Sequence, residues 1–194
     1  MLKIGITGGI GSGKSLVSRV LESMGYPVFN SDNVAKDIVA NNSEVRKGLI
    51  ELFGKEIYDA HGLNKVRLAE YIFSDNQARL KVNAIIHPKV REAFQKFAEA
   101  SHSKIVFNEA AILFETGSYK QLDATILVVA PEELRINRVI ERDNALEATV
   151  IARIEKQWSD EKKASLTPYV IVNDEKQPLL HQVEKIIEQL IIPN

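Results

Sequence analysis

The sequence predicts an α/β fold in which helices cover both faces of a five-stranded, mostly parallel sheet. Five short apolar runs, most of them rich in Val and Ile, are typical of buried strands. Segments with helical spacing separate these runs, and such an alternation of strands and helices favours a parallel sheet. The five runs lie at residues 2–7, 27–30, 104–108, 124–129 and 169–172.

Length and composition limit the kind of protein that this chain can be. Its 194 residues, 45% of them hydrophobic, suffice for one domain with its own core. The 25 Lys and Arg nearly balance the 26 Asp and Glu, which argues against nucleic acid as the main partner. The absence of cysteine excludes a disulfide framework and fits a reducing cytoplasm. No secretory leader or long apolar stretch is visible, so we expect a cytoplasmic protein without a membrane partner.

A long gap separates the second strand run from the third, and nothing strand-like lies in its more than seventy residues. We therefore expect a helical insert there. Within it, Asn64 is a plausible N-cap, and Pro88, which follows His87, can occupy the first position of a helix. The segments with helical spacing are 14–24, 32–40, 44–53, 64–73, 77–100, 132–142, 147–158 and 178–191.

The most informative segment is a glycine-rich turn after the first predicted strand. Gly8, Gly13, Lys14 and Ser15 have the spacing of a phosphate-binding loop, and a predicted helix follows at once. Glycines allow successive backbone N–H groups to point inward, and the helix N-terminus adds partial positive charge. Lys14 would bring a full charge to the β- and γ-phosphates, and the Ser15 hydroxyl would reach Mg²⁺. The loop therefore predicts nucleotide binding.

A carboxylate follows the second predicted strand. Ligands of open parallel sheets bind outside the carboxyl ends of the strands, which is where Asp32 lies in sequence. There it could orient an acceptor hydroxyl and take its proton during phosphoryl transfer. The alternative is that Ser31 or Asp32 only caps the helix beginning near Asn33. The residues alone leave both interpretations open.

The polar stretch from about 132 to 165 has the composition of a mobile helical flap. Three arginines in it share one helix face beside an apolar stripe. Arginines on such an element suit phosphoryl transfer, because they can neutralise the transferring group and exclude water. The alternative is a solvated face on which they pair with acidic neighbours such as Asp143. The three are Arg135, Arg138 and Arg142.

In order and over nearly the whole chain, the sequence resembles the dephospho-coenzyme A kinase family. The double-glycine form of the loop, the His87-Pro88 pair and the Arg142-Asp143 pair make this resemblance specific. The matching segments are IGITGGIGSGKS, FNSDNVAK, IIHPKVR, ILFE, LRINRVIERD, RIEKQ and VIVND.

The resemblance implies a phosphate-loop fold of the nucleoside-monophosphate-kinase type. It implies ATP with Mg²⁺ as donor and the ribose 3′-hydroxyl of dephospho-CoA as acceptor, which gives CoA and ADP in the last step of CoA synthesis. We expect a monomer with a single kinase domain, residues 1–194. Its expected parts are a core of 1–30, 104–134 and 166–194, an acceptor-binding insert of 31–103 and a lid of 135–165.

The resemblance also implies roles for particular residues. Asp32 would be the catalytic carboxylate, assisted by Lys14 and by Arg142, a lid arginine near the nucleotide, while Asn173 would lie near the adenine. The remaining loop residues that would hold ATP are Gly9, Gly11, Ser12 and Leu16.

Two positions depart from the family pattern, of which Leu16 leaves the Ser15 hydroxyl available to the metal, and one expected metal contact is not evident. The family usually has Thr at position 16 and Pro at position 111, where this chain has Leu16 and Ala111. Contacts to the acceptor near Ala111 are therefore less secure. No acidic residue cleanly ends an apolar strand to give a second metal contact, and Glu109 is the nearest candidate.

Two other functions are compatible with the loop. A kinase of another small acceptor, such as a nucleoside, nucleotide or sugar, would share it, because the loop reads only the donor. A nucleotide-gated binding module would also keep the loop, but it would lack the carboxylate or the lid arginines.

Overall fold

In the computed structural model of the protein, residues 1–59 and 62–191 are described, together with their side chains except those of 73, 74 and 76. Positions 60 and 61 of the expected insert and 192–194 of the expected core lie outside the described residues. The described strands are β1 Leu2–Gly8, β2 Val28–Asn30, β3 Tyr58–Asp59, β4 Gly62–Leu63, β5 Ile105–Glu109, β6 Ala124–Val129 and β7 Tyr169–Val172.

Five of these strands form the central sheet, in the order β2-β5-β1-β6-β7. β1 pairs in parallel with β5 on one side and with β6 on the other, and β6 pairs in parallel with β7. The predicted parallel α/β sheet is confirmed. With β1 at its centre, the carboxyl ends of β1, β5, β6 and β7 lie at one edge of the sheet.

Helices fill most of the rest of the described chain. The helix predicted over 147–158 begins at Glu147 as predicted but ends early, at Ile154, and a separate short helix, Asp160–Ala164, follows. The Ser159 hydroxyl starts that second helix by accepting from the Lys162 N–H at 3.3 Å. The helices are α1 Lys14–Ser23, α2 Ser31–Asn41, α3 Ser43–Phe53, α4 Lys65–Ser74, α5 Asn76–Ala100, α6 Glu132–Asp143, α7 Glu147–Ile154, α8 Asp160–Ala164 and α9 Leu179–Ile191.

The chain divides into two compact units, the first of which contains Met1–Phe29 and Ser101–Asn194. Its core lies between the sheet and the helices α1 and α9. Ile4 and Ile6 of β1 are fully buried against Val17 of α1 and Val183 of α9. Alternate residues of a strand point to opposite faces, and Gly5 accordingly contacts a different segment, 113–122.

The second unit is Asn30–Ala100, which contains α2 to α5 and a short hairpin. Its separate apolar core includes Val45 and Leu49 of α3 and Val82 of α5. The expectation of no strand here is wrong, since Tyr58 pairs antiparallel with Leu63. These strands have two residues each, too few for an alternating pattern to show in the sequence.

Two helix predictions in the second unit have different outcomes. Asn64 caps α4, since its side chain accepts from the Arg67 N–H at 3.0 Å, as predicted. Pro88 does not begin a helix but lies inside α5. Proline removes the bond to the carbonyl four residues earlier, and Ala84 and Pro88 are both exposed, so water can replace it. Among the described residues, no helix is long and apolar enough to cross a membrane.

Candidate active site

The turn between β1 and α1 adopts the backbone that its glycines permit. Gly11 and Gly13 have φ values of 77° and 94°, in the left-handed region that other residues rarely adopt. Space is also restricted, because a Cβ on Gly11 would lie 2.4 Å from the Arg135 carbonyl oxygen. A Cβ on Gly13 would lie 2.0 Å from Nδ2 of Asn173. Close packing and backbone conformation therefore both require glycine at these two positions.

The ammonium group of Lys14 lies over this turn. Its Nζ donates to the carbonyl oxygens of Gly8 and Gly9, each at 3.1 Å. Lys14 is also the first residue of α1, so its charge adds to the partial positive charge of the helix N-terminus. This arrangement of backbone amides, helix terminus and ammonium group suits a polyphosphate.

Glu109 is joined directly to the first turns of α1. Its carboxylate accepts from the Ser15 hydroxyl at 2.9 Å and from the Ser18 hydroxyl at 2.8 Å. The residue is 5% exposed, and β5 extends one residue further than predicted, so that Glu109 ends the strand in register with Ile6 of β1. An acidic residue therefore does end an apolar strand here, contrary to the sequence-based expectation.

Ser15 and Glu109 have the donor chemistry that Mg²⁺ prefers. Both present oxygen atoms, and Mg²⁺ in nucleotide sites is held by one or two protein oxygens together with phosphates and water. No group of three or more acidic, His or Cys side chains that could hold a metal occurs among the described residues. The oxygen atoms of Ser15 and Glu109 fit a Mg²⁺ ion that is also held by nucleotide phosphates.

The expectation that Arg135 reaches outward is wrong. Arg135 is only 7% exposed, and its Nε donates to the Ile10 carbonyl at 3.0 Å. Its Nη1 forms an ion pair with Asp160 at 3.3 Å. The residue pattern of α6 predicted Arg135 on the polar, exposed face of the helix. It is buried instead, because its guanidinium donates a hydrogen bond to a backbone carbonyl of the loop.

Arg138 and Arg142 lie further along α6. Arg138 donates to Glu175 at 2.8 Å and to the Asn173 carbonyl at 3.1 Å. Arg142, mostly exposed, pairs with Asp143 through two hydrogen bonds of 2.7 and 2.9 Å. The hydrogen bond from Arg142 lowers the pKa of Asp143, so this carboxylate is ionised at neutral pH.

Asn173 follows β7 and contacts the loop itself. Its Nδ2 donates to the Ser12 carbonyl at 2.9 Å, and the residue is 7% exposed. The Asn173 amide group thus supports the turn. The expectation that Asn173 lies near the adenine did not include this contact. Gly8, Gly9 and Ser12 are likewise buried in the turn.

A cavity of about 350 Å³ opens at the loop. Four cationic side chains and one carboxylate border it, a charge balance that favours an anionic ligand. Arg19, which the sequence analysis did not consider, lies on α1 four residues after Ser15 and so on the same side of the helix. The residues that line the cavity are Gly11, Gly13, Lys14, Ser15, Leu16, Arg19, Arg138, Arg142, Asn173 and Glu175.

Asp32 lies in the first turn of α2, in the second unit. The cap of this helix is Asn30, whose side chain accepts from the Asn33 N–H at 2.8 Å. The alternative that Ser31 or Asp32 is the capping residue is therefore wrong. Asp32 is half-buried, and its carboxylate benefits from the partial positive charge of the helix N-terminus.

Several residues of the site could not be found from local patterns. Gln157 accepts from the Ile10 N–H at 2.8 Å, yet it is 147 positions away in sequence. Asp160 pairs with Arg135, and Lys163 pairs with Glu115. Asp160, Lys163 and Glu115 are each more than a hundred positions from Ile10 in sequence. In the sequence, only their position in or near the segments RIEKQ and ILFE, which carry the family resemblance, indicated these residues.

Comparison with known proteins gives consistent matches. A family model described as dephospho-CoA kinase matches residues 2–178. A protein of Bacteroides fragilis named dephospho-CoA kinase is 44% identical over 189 residues, which cover 96% of this chain and 91% of that one. The crystal structure of TT1252 from Thermus thermophilus has a TM-score of 0.84 and 33% identity, covering 98% and 96% of the two chains. A dephospho-CoA kinase from Campylobacter jejuni shares the fold, with a TM-score of 0.67, 24% identity and coverage of 97% and 96%.

Proposed function

Because the chain belongs to the dephospho-CoA kinase family, we propose that it transfers the γ-phosphoryl group of ATP to the ribose 3′-hydroxyl of dephospho-CoA. The products are ADP and CoA, so the reaction is the last step of CoA synthesis. The observation that carries this function is the loop itself, in which glycine backbone, Lys14 and the start of α1 meet at a cationic cavity.

The residues that would bind the phosphoryl donor, ATP, lie in the first unit. The inward-facing amides of the loop and the Lys14 ammonium would bind the β- and γ-phosphates, since both offer positive charge in a fixed arrangement. Arg19, Arg138 and Arg142 border the same cavity and would neutralise charge that develops on the leaving ADP. Preorganised charge of this kind is usually the largest single contribution to catalysis.

The acceptor side rests on Asp32. As the 3′-oxygen attacks the γ-phosphorus, the Asp32 carboxylate would accept the hydroxyl proton, and the bond from the γ-phosphorus to the β-bridging oxygen would break. A general base of this kind contributes about 10² to 10⁴ in rate. The assignment of residues 31–103 to the acceptor and of 135–165 to a lid belongs to the same proposal.

Ser15 and Glu109 would hold Mg²⁺. A bound Mg²⁺ would supply Lewis-acid neutralisation of the β- and γ-phosphate oxygens. The Ser15 hydroxyl donates to Glu109 at 2.9 Å, so the carboxylate orients the oxygen that would face the metal, as neighbouring groups of metal ligands commonly do. We place this activity in the cytoplasm, whose reducing conditions suit a chain without cysteine.

The test is release of ADP from ATP and Mg²⁺ in the presence of different acceptors. We expect rapid release with dephospho-CoA and at most a low background with AMP, shikimate, gluconate or no acceptor. Equal turnover with one of the other acceptors would assign the enzyme to another substrate. Tight ATP binding without turnover on any acceptor would instead support the nucleotide-gated binding module.

A further inference from the structure

Ile10, at the tip of the phosphate loop, has both of its backbone polar groups bound by side chains from outside the loop. Its N–H donates to Oε1 of Gln157 at 2.8 Å, and its carbonyl accepts from Nε of Arg135 at 3.0 Å. These two contacts lie on the peptide groups before and after the Ile10 Cα, so together they fix the orientation of both groups. The direction of the neighbouring amides, which would bind phosphate, therefore depends on what holds Gln157 and Arg135.

Arg135 is held by the loop on one side and by a carboxylate on the other. A Cβ on Gly9 would lie 2.2 Å from Nη2 of Arg135, so the guanidinium packs directly against the loop backbone. Its Nη1 pairs with Oδ2 of Asp160 at 3.3 Å, and Arg135 is 7% exposed. A buried guanidinium needs such a partner, because an unpaired buried charge is strongly destabilising.

The short helix that carries Asp160 also carries a second buried cation. Lys163 is on the same short helix, α8, three residues further on, and it is fully buried. Its Nζ lies 3.1 Å from Oε1 of Glu115 in an ion-pair contact without hydrogen-bond geometry. The same Glu115 oxygen accepts from the Trp158 N–H at 3.2 Å.

These four side chains form what we call the brace: Arg135, Asp160, Lys163 and Glu115. The brace contains two cations and two anions, so it is neutral as a whole. Buried ion pairs are often no more stabilising than apolar side chains of similar size. Stability alone therefore does not account for a fully buried lysine. The brace also contacts the phosphate loop, because Arg135 binds the Ile10 carbonyl.

We propose that Lys163 is a positioning residue for nucleotide binding: its pairing with Glu115 holds α8, and with it the Asp160 carboxylate, against Arg135, which binds the Ile10 carbonyl. The inference rests on the proposed kinase function, because it takes the loop as the phosphate site. Lys163 touches neither nucleotide nor acceptor. Its effect passes from α8 to α6 and then to the tip of the loop.

Removal of the Lys163 ammonium group would weaken the contacts that run from Asp160 through Arg135 to Ile10, and the size of this loss would depend on pH. Burial raises the pKa of Asp160, while Arg135 of α6, Lys163 of α8 and Lys14 of α1 lower it and Glu161 of α8 raises it. Loss of the Lys163 charge would raise this pKa further, so a larger fraction of Asp160 would be protonated at a given pH. Protonated Asp160 pairs weakly with Arg135, and the loop would then lose its anchor.

The experiment compares Lys163→Met with Lys162→Met, the same change at the exposed neighbour. We expect Lys163→Met to weaken ADP binding, measured by isothermal titration calorimetry, by about 10-fold, the size of one charged hydrogen bond. The KM for ATP should rise similarly, while the KM for dephospho-CoA should stay within about twofold of wild type. Lys162→Met should bind ADP as wild type does.

A pH series separates positioning from a merely structural role. Relative to wild type, ADP binding by Lys163→Met should recover as the pH is raised and Asp160 ionises. Asp160→Asn, which cannot ionise, should bind ADP weakly at every pH, and it carries the test if Lys163→Met does not fold. Wild-type ADP affinity in either folded variant, even with a lowered melting temperature, would overturn the inference. Failure of the wild-type protein to bind ADP would count against the proposed function instead.

Discussion

The two units of the chain use their polar side chains differently. In the first unit, Asn173, Gln157 and Arg135 bind backbone atoms of the phosphate loop from positions more than a hundred residues away. In the second unit, Asn30, Asn42 and Asn64 each cap the helix that begins beside them. The phosphate loop is thus held by long-range contacts, whereas Asp32, the proposed acceptor carboxylate, is placed by local helix structure. Changes in the first unit should alter nucleotide binding, and a change of Asp32 should alter the chemical step.

The largest effect that we expect is that of Asp32→Asn. It should lower kcat by about 10² to 10⁴ and leave ADP affinity unchanged, because only the proton acceptor is lost. Since Asn30 is the cap of α2, the melting temperature should stay close to that of wild type. Asp37→Asn, an exposed change on the same helix, is the control. Retained kcat would contradict the role of Asp32 as proton acceptor, and an accompanying loss of up to about 1 kcal/mol of stability would leave it only a favourable charge interaction with the helix N-terminus.

Lys14→Ala tests the phosphate loop of the first unit. Loss of the ammonium group should weaken ADP binding and lower kcat/KM for ATP by about 10² to 10³, the usual cost of one preorganised donor. Lys185→Ala, at an exposed position of α9, should behave as wild type. Unchanged ATP affinity and turnover in Lys14→Ala would refute the assignment of the loop.

The smallest effect concerns pH and the second unit. Burial, followed by the charge of Arg91, lowers the pKa of His87 below its ordinary value of 6.5. A histidine with a depressed pKa contributes stability that is present above pH 6.5 and is lost as the pH falls toward its lower folded value. His87→Gln should therefore flatten the fall of the melting temperature below pH 6.5, whereas His102→Gln, at an exposed position, should leave it unchanged. Parallel pH curves for wild type and His87→Gln would contradict the assignment.

Contiguous sequence patterns predicted the sheet and the loop well. The five apolar runs became the strands of the central sheet, and the Gly8 to Ser15 spacing became the turn between β1 and α1. In both cases the information lies in neighbouring residues. Periodicity therefore sufficed, although β1 and β5 each end one residue later than predicted, at Gly8 and Glu109.

Long-range contacts explain what the sequence did not predict. Arg135 looked like a surface arginine in the pattern of α6, and two distant partners make its buried position favourable: the Ile10 carbonyl, 125 positions away, and the Asp160 carboxylate, 25 positions away. Lys163 likewise lies in a charged pentapeptide, DEKKA, where nothing local separates it from its exposed neighbour Lys162. The pairing with Glu115 exists only in the folded chain.

A single turnover with ATP labelled in its γ-phosphoryl group, followed by ³¹P NMR of the CoA product, shows which oxygen receives the phosphoryl group. We expect one equivalent of label on the ribose 3′-oxygen for each ADP formed. Label recovered as inorganic phosphate, or on another oxygen of the acceptor, would contradict the proposal that the protein transfers the γ-phosphoryl group to the ribose 3′-hydroxyl.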